Sequence, residues 1–85
     1  MSRNTIKNVE ALENGTLKVI FETGNAITLD MTPRFDTSRF GILKNEHVWN
    51  SADTDGTFVH WYQNDMDVVE LSYDELMQMT VGDAY

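Results

Sequence analysis

Strict alternation of apolar and polar residues constrains this chain more than any other feature. Leu17, Val19 and Phe21 share one side of Thr16–Phe21, and Ile27, Leu29 and Met31 repeat the pattern after a turn. A one-residue slip between paired strands carries every apolar side chain to the opposite face. A two-residue turn at Gly24-Asn25 pairs Ile20 with Leu29 and leaves Val19 opposite Asp30. A three-residue loop, Thr23-Gly24-Asn25, pairs Phe21 with Ile27 and Val19 with Leu29, and gathers all six apolar side chains on one face. The sequence therefore predicts the longer loop, with Asn25 left-handed. Thr5–Leu12 predicts a preceding strand. Asn14-Gly15 joins it to the next, since both central positions of a type I′ turn need positive φ. An antiparallel meander of three strands follows.

Thr32-Pro33 ends the third strand, because proline donates no ladder hydrogen bond. Pro33 to Asn45 predicts a crossover anchored by Phe35, Phe40 and Leu43. The last two stand three apart, as in a short helical turn. Val48–Ala52 and Thr57–Gln63 read as a second hairpin closed by Asp53-Thr54-Asp55-Gly56. That closure sets Trp49 opposite Trp61 and Ser51 opposite Val59 on one face. Val48, Ala52, Phe58 and Tyr62, with Asn50 and His60, occupy the other. Asn64-Asp65 turns the chain into an extended piece, Asp67–Leu71. Ser72 and Glu75 then form a capping box, with Leu71 and Leu76 as its hydrophobic staple. The expected fold is α+β: an antiparallel meander, a second hairpin, a short crossover helix and a capped C-terminal helix. One domain is expected, ordered over about residues 5–79, with frayed termini that include the tail VGDAY. Its core would hold Leu17, Val19, Phe21, Ile27, Leu29, Phe40, Leu43, Val59, Trp61 and Leu76.

Eighty-five residues carry 14 acidic and six basic side chains, a net charge of −8. That field repels nucleic acid and anionic membranes and favours a basic protein partner. With no cysteine, disulfides and thiolate ligands are excluded. The opening MSRNTIKNVE lacks the apolar run of a signal peptide, and no stretch reaches the roughly 18 apolar residues of a membrane span. A cytoplasmic protein is expected.

Glycines at positions 15, 24, 41, 56 and 82 spell neither a dinucleotide fingerprint nor a P-loop, so no cofactor is expected. Asn14-Gly15-Thr16 matches a glycosylation sequon but reads as a turn. His47 and His60 with Asp53 and Asp55 make a metal site on paper. In the expected hairpin, however, the aspartates lie at the tip and the histidines well down the strands. No metal is expected. Asp65 with Asp67, and Asp74 with Glu75, are the pairs from which general acid–base chemistry would be built. Turn and capping roles already account for all four.

The order of these features resembles a small bacterial family, domain of unknown function 2442, over about residues 5–77. The resemblance rests on GTLKVIFETGNAITLDM, the F…F..L crossover, VWNSADTDGTFVHW and the closing Asp-to-Leu-Ser segment. Its most specific marks are Leu17–Phe21, Leu29-Asp30, and Val59 with Trp61. The resemblance implies a compact α+β domain and an antitoxin-like or partner-binding role, with no catalytic residues to carry over.

The expected function is thus a non-catalytic protein-binding module, with a small carboxylate-dependent enzyme as the alternative. An antiparallel strand pair solvated on one side should be polar there, but the second hairpin is apolar on both. Either the crossover or the C-terminal helix covers that second face, or Val48, Phe58, His60 and Tyr62 form an exposed patch, the candidate partner surface, for a homodimer or for a protein partner that the charge suggests is basic.

Overall fold

A computed structural model describes residues 5–80. The fold is α+β, two antiparallel sheets of three strands each with one short and one longer helix. The expected fraying of the tail 81–85 lies outside the described residues, as do residues 1–4.

The first sheet is the meander, ordered β1 (Ile6–Ala11), β2 (Thr16–Phe21), β3 (Ala26–Asp30). Leu17 pairs with Leu29 and Val19 with Ile27. The apolar side chains share one face, as the alternation requires, but the register lies two residues from the expected one. The loop between β2 and β3 is Glu22-Thr23-Gly24, closed by Phe21 and Asn25 (N–O 2.8 Å). Gly24, not Asn25, takes the left-handed conformation (φ 96°). Only glycine enters that region without steric cost, so the turn settles around it. Asn14 and Gly15 both have positive φ, 61° and 72°. Their loop includes Glu13, so that Leu12 bonds Thr16 (2.8 Å). A side chain at Gly15 would strike Thr32.

The crossover consists of short 3₁₀ turns at Thr32–Arg34 and Gly41–Lys44, which bury Phe40 and Leu43 and half-bury Phe35. It ends differently from expectation. Residues 46–49 form a one-turn helix, α1 (Glu46–Trp49), not a strand. Asn45 caps it, its Oδ1 accepting from the amides of His47 (2.9 Å) and Val48 (3.3 Å). That bond satisfies donors a helix start leaves open. Val48 and Trp49 are buried by the turn. Trp49 stacks on Trp61, with ring centroids 6.0 Å apart and planes 19° apart. The two tryptophans meet as expected, but across a helix–sheet contact.

The second sheet is ordered β4 (Asp53–Thr54), β5 (Phe58–Gln63), β6 (Met66–Ser72). Its long hairpin is β5–β6, turned by Asn64 and Asp65, both with positive φ (55° and 66°). β4 contributes two residues, pairing Asp53 with His60 and Thr54 with Val59. Ser51 extends this edge with its side chain. Its Oγ donates to the Val48 carbonyl (2.6 Å) and accepts the Tyr62 amide (2.8 Å).

α2 (Tyr73–Thr80) starts on the expected box. Ser72 Oγ accepts the Glu75 amide (3.1 Å), and Glu75 Oε1 accepts the Ser72 amide (3.2 Å). Both staple residues, Leu71 and Leu76, are fully buried. One continuous core joins the two sheets, α1 and α2. Apart from the half-buried Ile27, every expected core residue is buried, and Ile6, Val9, Met31, Val48, Trp49, Val69 and Leu71 join them.

Candidate partner-binding face

Alternation along β5 sends Val59 and Trp61 inward, where both are fully buried, and turns Phe58, His60 and Tyr62 outward as half-buried rings. The outward rings form a row, with Phe58–His60 and His60–Tyr62 centroids both 6.0 Å apart. Three of the four expected surface residues therefore stand together. Val48 does not join them: it is 1% exposed and packs into the core from α1. Its removal follows from the cap on Asn45, which coils the segment that a strand would have laid beside β5.

Four carboxylates rim the row. Asp53 faces His60 across the β4–β5 ladder and Glu70 faces it across β5–β6. Asp55 folds back over its own turn. Its Oδ1 accepts the amides of Phe58 (2.9 Å) and Thr57 (3.0 Å), and its Oδ2 reaches His60 Nε2 at 3.2 Å. Asp67 arrives by a β-bulge. Trp61 pairs with Val69 but Tyr62 pairs with Asp67, leaving Val68 as the extra residue. In a regular strand Asp67 would share the inward parity of Val69 and Leu71. A bulge re-aims side chains past it, and Asp67 Oδ2 sits 2.7 Å from His60 Nδ1.

The electrostatics follow from these contacts. Both ring nitrogens of His60 face carboxylate oxygens, and a neutral imidazole has a single N–H to offer. Burial opposes the charge on His60, but the hydrogen bonds and charges of Asp55 and Asp67 outweigh it and raise the imidazole above its ordinary 6.5. Asp55 is lowered to about 2, first by the Phe58 and Thr57 amides and then by His60. Partial burial, with the charges of Asp67, Asp53, Asp55 and Glu70, raises the Tyr62 phenol.

The expected separation of histidines and turn aspartates fails for one pair. Closing β4 on β5 through Gly56-Thr57 brings Asp55 to His60, whereas His47 lies apart on α1. His60, Asp67 and Glu70 each bring one potential ligand atom within 4.8 Å of the others. Glu70 Oε2 is 3.7 Å from the ring, and its side chain is 54% exposed. His60 Nδ1 is already engaged by Asp67 at 2.7 Å, and exposed acidic groups gather in this way without an ion.

Of the carboxylates weighed for acid–base chemistry, Asp67 is engaged by His60 and Glu75 by Arg39. Glu75 is lowered to about 2, first by Arg39, whose guanidinium grips it with two bonds (2.6 and 2.9 Å), and then by the Ser72 amide. Arg39 also donates to the Glu70 carbonyl, tying the crossover to the edge of β6. A general acid needs the opposite shift. His47 and Asp65 do line a common depression of about 430 Å³, with Asn45, Ser51, Gln63 and Asn64. His47 and Asp65 are both solvent-exposed there, so the depression does not exclude water.

No family model, curated protein or solved structure matches the chain. No helix among the described residues is long and apolar enough to cross a membrane.

Proposed function

We propose that this chain is a non-catalytic protein-binding module that receives a basic partner on the outer face of the second sheet. The observation behind the reading is the aromatic row Phe58–His60–Tyr62, rimmed by Asp53, Asp55, Asp67 and Glu70. Sheet faces turned to water are ordinarily polar. Here aromatic rings stand outward while the core fills the opposite side, an arrangement suited to later burial against another molecule. The carboxylates select its charge. Two copies of this face would bring eight carboxylates together, so a second copy is a poor occupant and a basic protein a good one.

The experiment is co-purification from the native host, identification of the bound protein, and reconstitution of the pair from purified components. We expect a basic binding segment, and at least tenfold weaker binding by Phe58→Ser/Tyr62→Ser or by Asp67→Asn. A partner that binds all these variants as tightly as wild type overturns the reading.

A further inference from the structure

The docking reading leaves open what the centre of the face recognises. We infer that His60 marks a subsite for a basic side chain of the partner, a guanidinium or ammonium group that competes with a proton on the imidazole for the same carboxylates. This inference rests on the docking reading.

The geometry carries it. In the free chain the imidazole lies between Phe58 and Tyr62 and touches Asp55 at 3.2 Å, Asp67 at 2.7 Å and Glu70 at 3.7 Å. Asp53 stands opposite it on β4. Arg39 is engaged at the edge of β6 by Glu75 and the Glu70 carbonyl. The basic group standing among these four carboxylates is therefore the imidazole itself, its two ring nitrogens 2.7 and 3.2 Å from carboxylate oxygens. An incoming cation needs the same oxygens. Asp67 and Glu70 keep 35% and 54% of their side-chain surface open to water, so they are accessible from outside. Tyr62 and Phe58 offer ring faces on which a guanidinium stacks. Two cations a few ångströms apart repel, so docking lowers the affinity of His60 for its proton. By linkage, each proton released makes binding tighten by up to about tenfold per pH unit.

The test uses the intact chain and two probes, a short oligo-arginine peptide and its oligo-lysine counterpart. Calorimetry at pH about 6 and about 8, in buffers of different ionisation heat, brackets the histidine range. We expect tighter binding at the higher pH, with release of up to one proton near the titration of His60. His60→Gln should bind without proton release and with the pH dependence removed. Asp67→Asn should bind more weakly at the higher pH, while Glu10→Gln, an exposed carboxylate on β1, should match wild type. Proton counting on the wild type needs no variant to fold. Binding that is pH-independent and releases no proton overturns the subsite while leaving the docking face standing. Equal losses from Asp67→Asn and Glu10→Gln show diffuse charge attraction and overturn it too. Failure of both peptides to bind at either pH removes the basic partner itself, and the docking reading with it.

Discussion

His60 gives the free protein a pH dependence whose sign is fixed by its contacts. Its pKa is raised on folding, so its stabilising contribution is complete below the unfolded value of 6.5 and is lost as pH rises through the folded value. Asp55 and Glu75 behave oppositely. Both are lowered to about 2, from 3.8 and 4.5, so their contributions hold above those unfolded values and disappear as pH falls through about 2. Urea melts should therefore show stability declining above pH about 6.5 and again below about 4. His60→Gln should flatten the alkaline limb alone. An unchanged alkaline limb in that variant would show that the imidazole is not held as an imidazolium. Trp61 makes a second prediction. It is fully buried, and its Nε1 has no hydrogen-bond partner among the described residues. Trp61→Ala should cost about 3–5 kcal/mol by leaving a cavity. Trp61→Phe removes the orphaned donor, an unmet group costing roughly 1–3 kcal/mol, and should cost much less. Equal losses in both variants would mean that Nε1 is satisfied in solution.

Elements specified by neighbouring residues were the legible ones. Ser72 and Glu75 lie three apart, and their reciprocal bonds form as the sequence predicts. Ser72→Ala should cost about 1 kcal/mol in the same melts; no loss would show that Glu75, held by Arg39, caps the helix unaided. The alternation of β2 and β3 fixed their shared face, but it is indifferent to a two-residue shift, and the positive φ at Gly24 decided the register. Residues 48–52 misled because a short apolar run suits a strand or a buried turn equally well. The signal that separates them is Asn45 followed by Glu46, an N-cap with an acidic first turn, one residue before the run. Asn64-Asp65 was legible as a turn, yet its role as the hinge of the long hairpin depended on β4 being only two residues long. The outward row Phe58, His60 and Tyr62 could be read from alternation. Its carboxylate rim could not, because Asp67 arrives through a bulge and Asp55 through turn closure. Both depend on local backbone irregularities, a bulge and a turn closure, that the alternation of side chains does not reveal.

At the scale of the whole molecule, charge and shape together determine what this protein can assemble with. A net charge of −8 opposes a phosphate backbone, and two of the five described basic residues, Arg39 and Lys44, already face a carboxylate. No gel shift is expected with duplex DNA or RNA at physiological salt; a salt-sensitive shift at submicromolar protein would contradict this. Self-association presents a closer balance. Burying Phe58 and Tyr62 against a second copy favours a dimer by the hydrophobic effect. The same contact presses together Asp53, Asp55, Asp67 and Glu70 from both chains, and like-charge juxtaposition across an interface costs several kcal/mol. Repulsion should prevail at low ionic strength and weaken once the Debye length falls to about 3 Å near 1 M salt. Light scattering should therefore find a monomer at low salt, with any dimer confined to high salt. Phe58→Ser/Tyr62→Ser should remain folded, because both rings lie outside the core that Val59, Trp61, Val69 and Leu71 fill from the opposite side of the same strands. It should also be monomeric at every salt concentration. A stable low-salt dimer that this double variant dissolves would make the face a homodimer interface and leave no free surface for a basic partner.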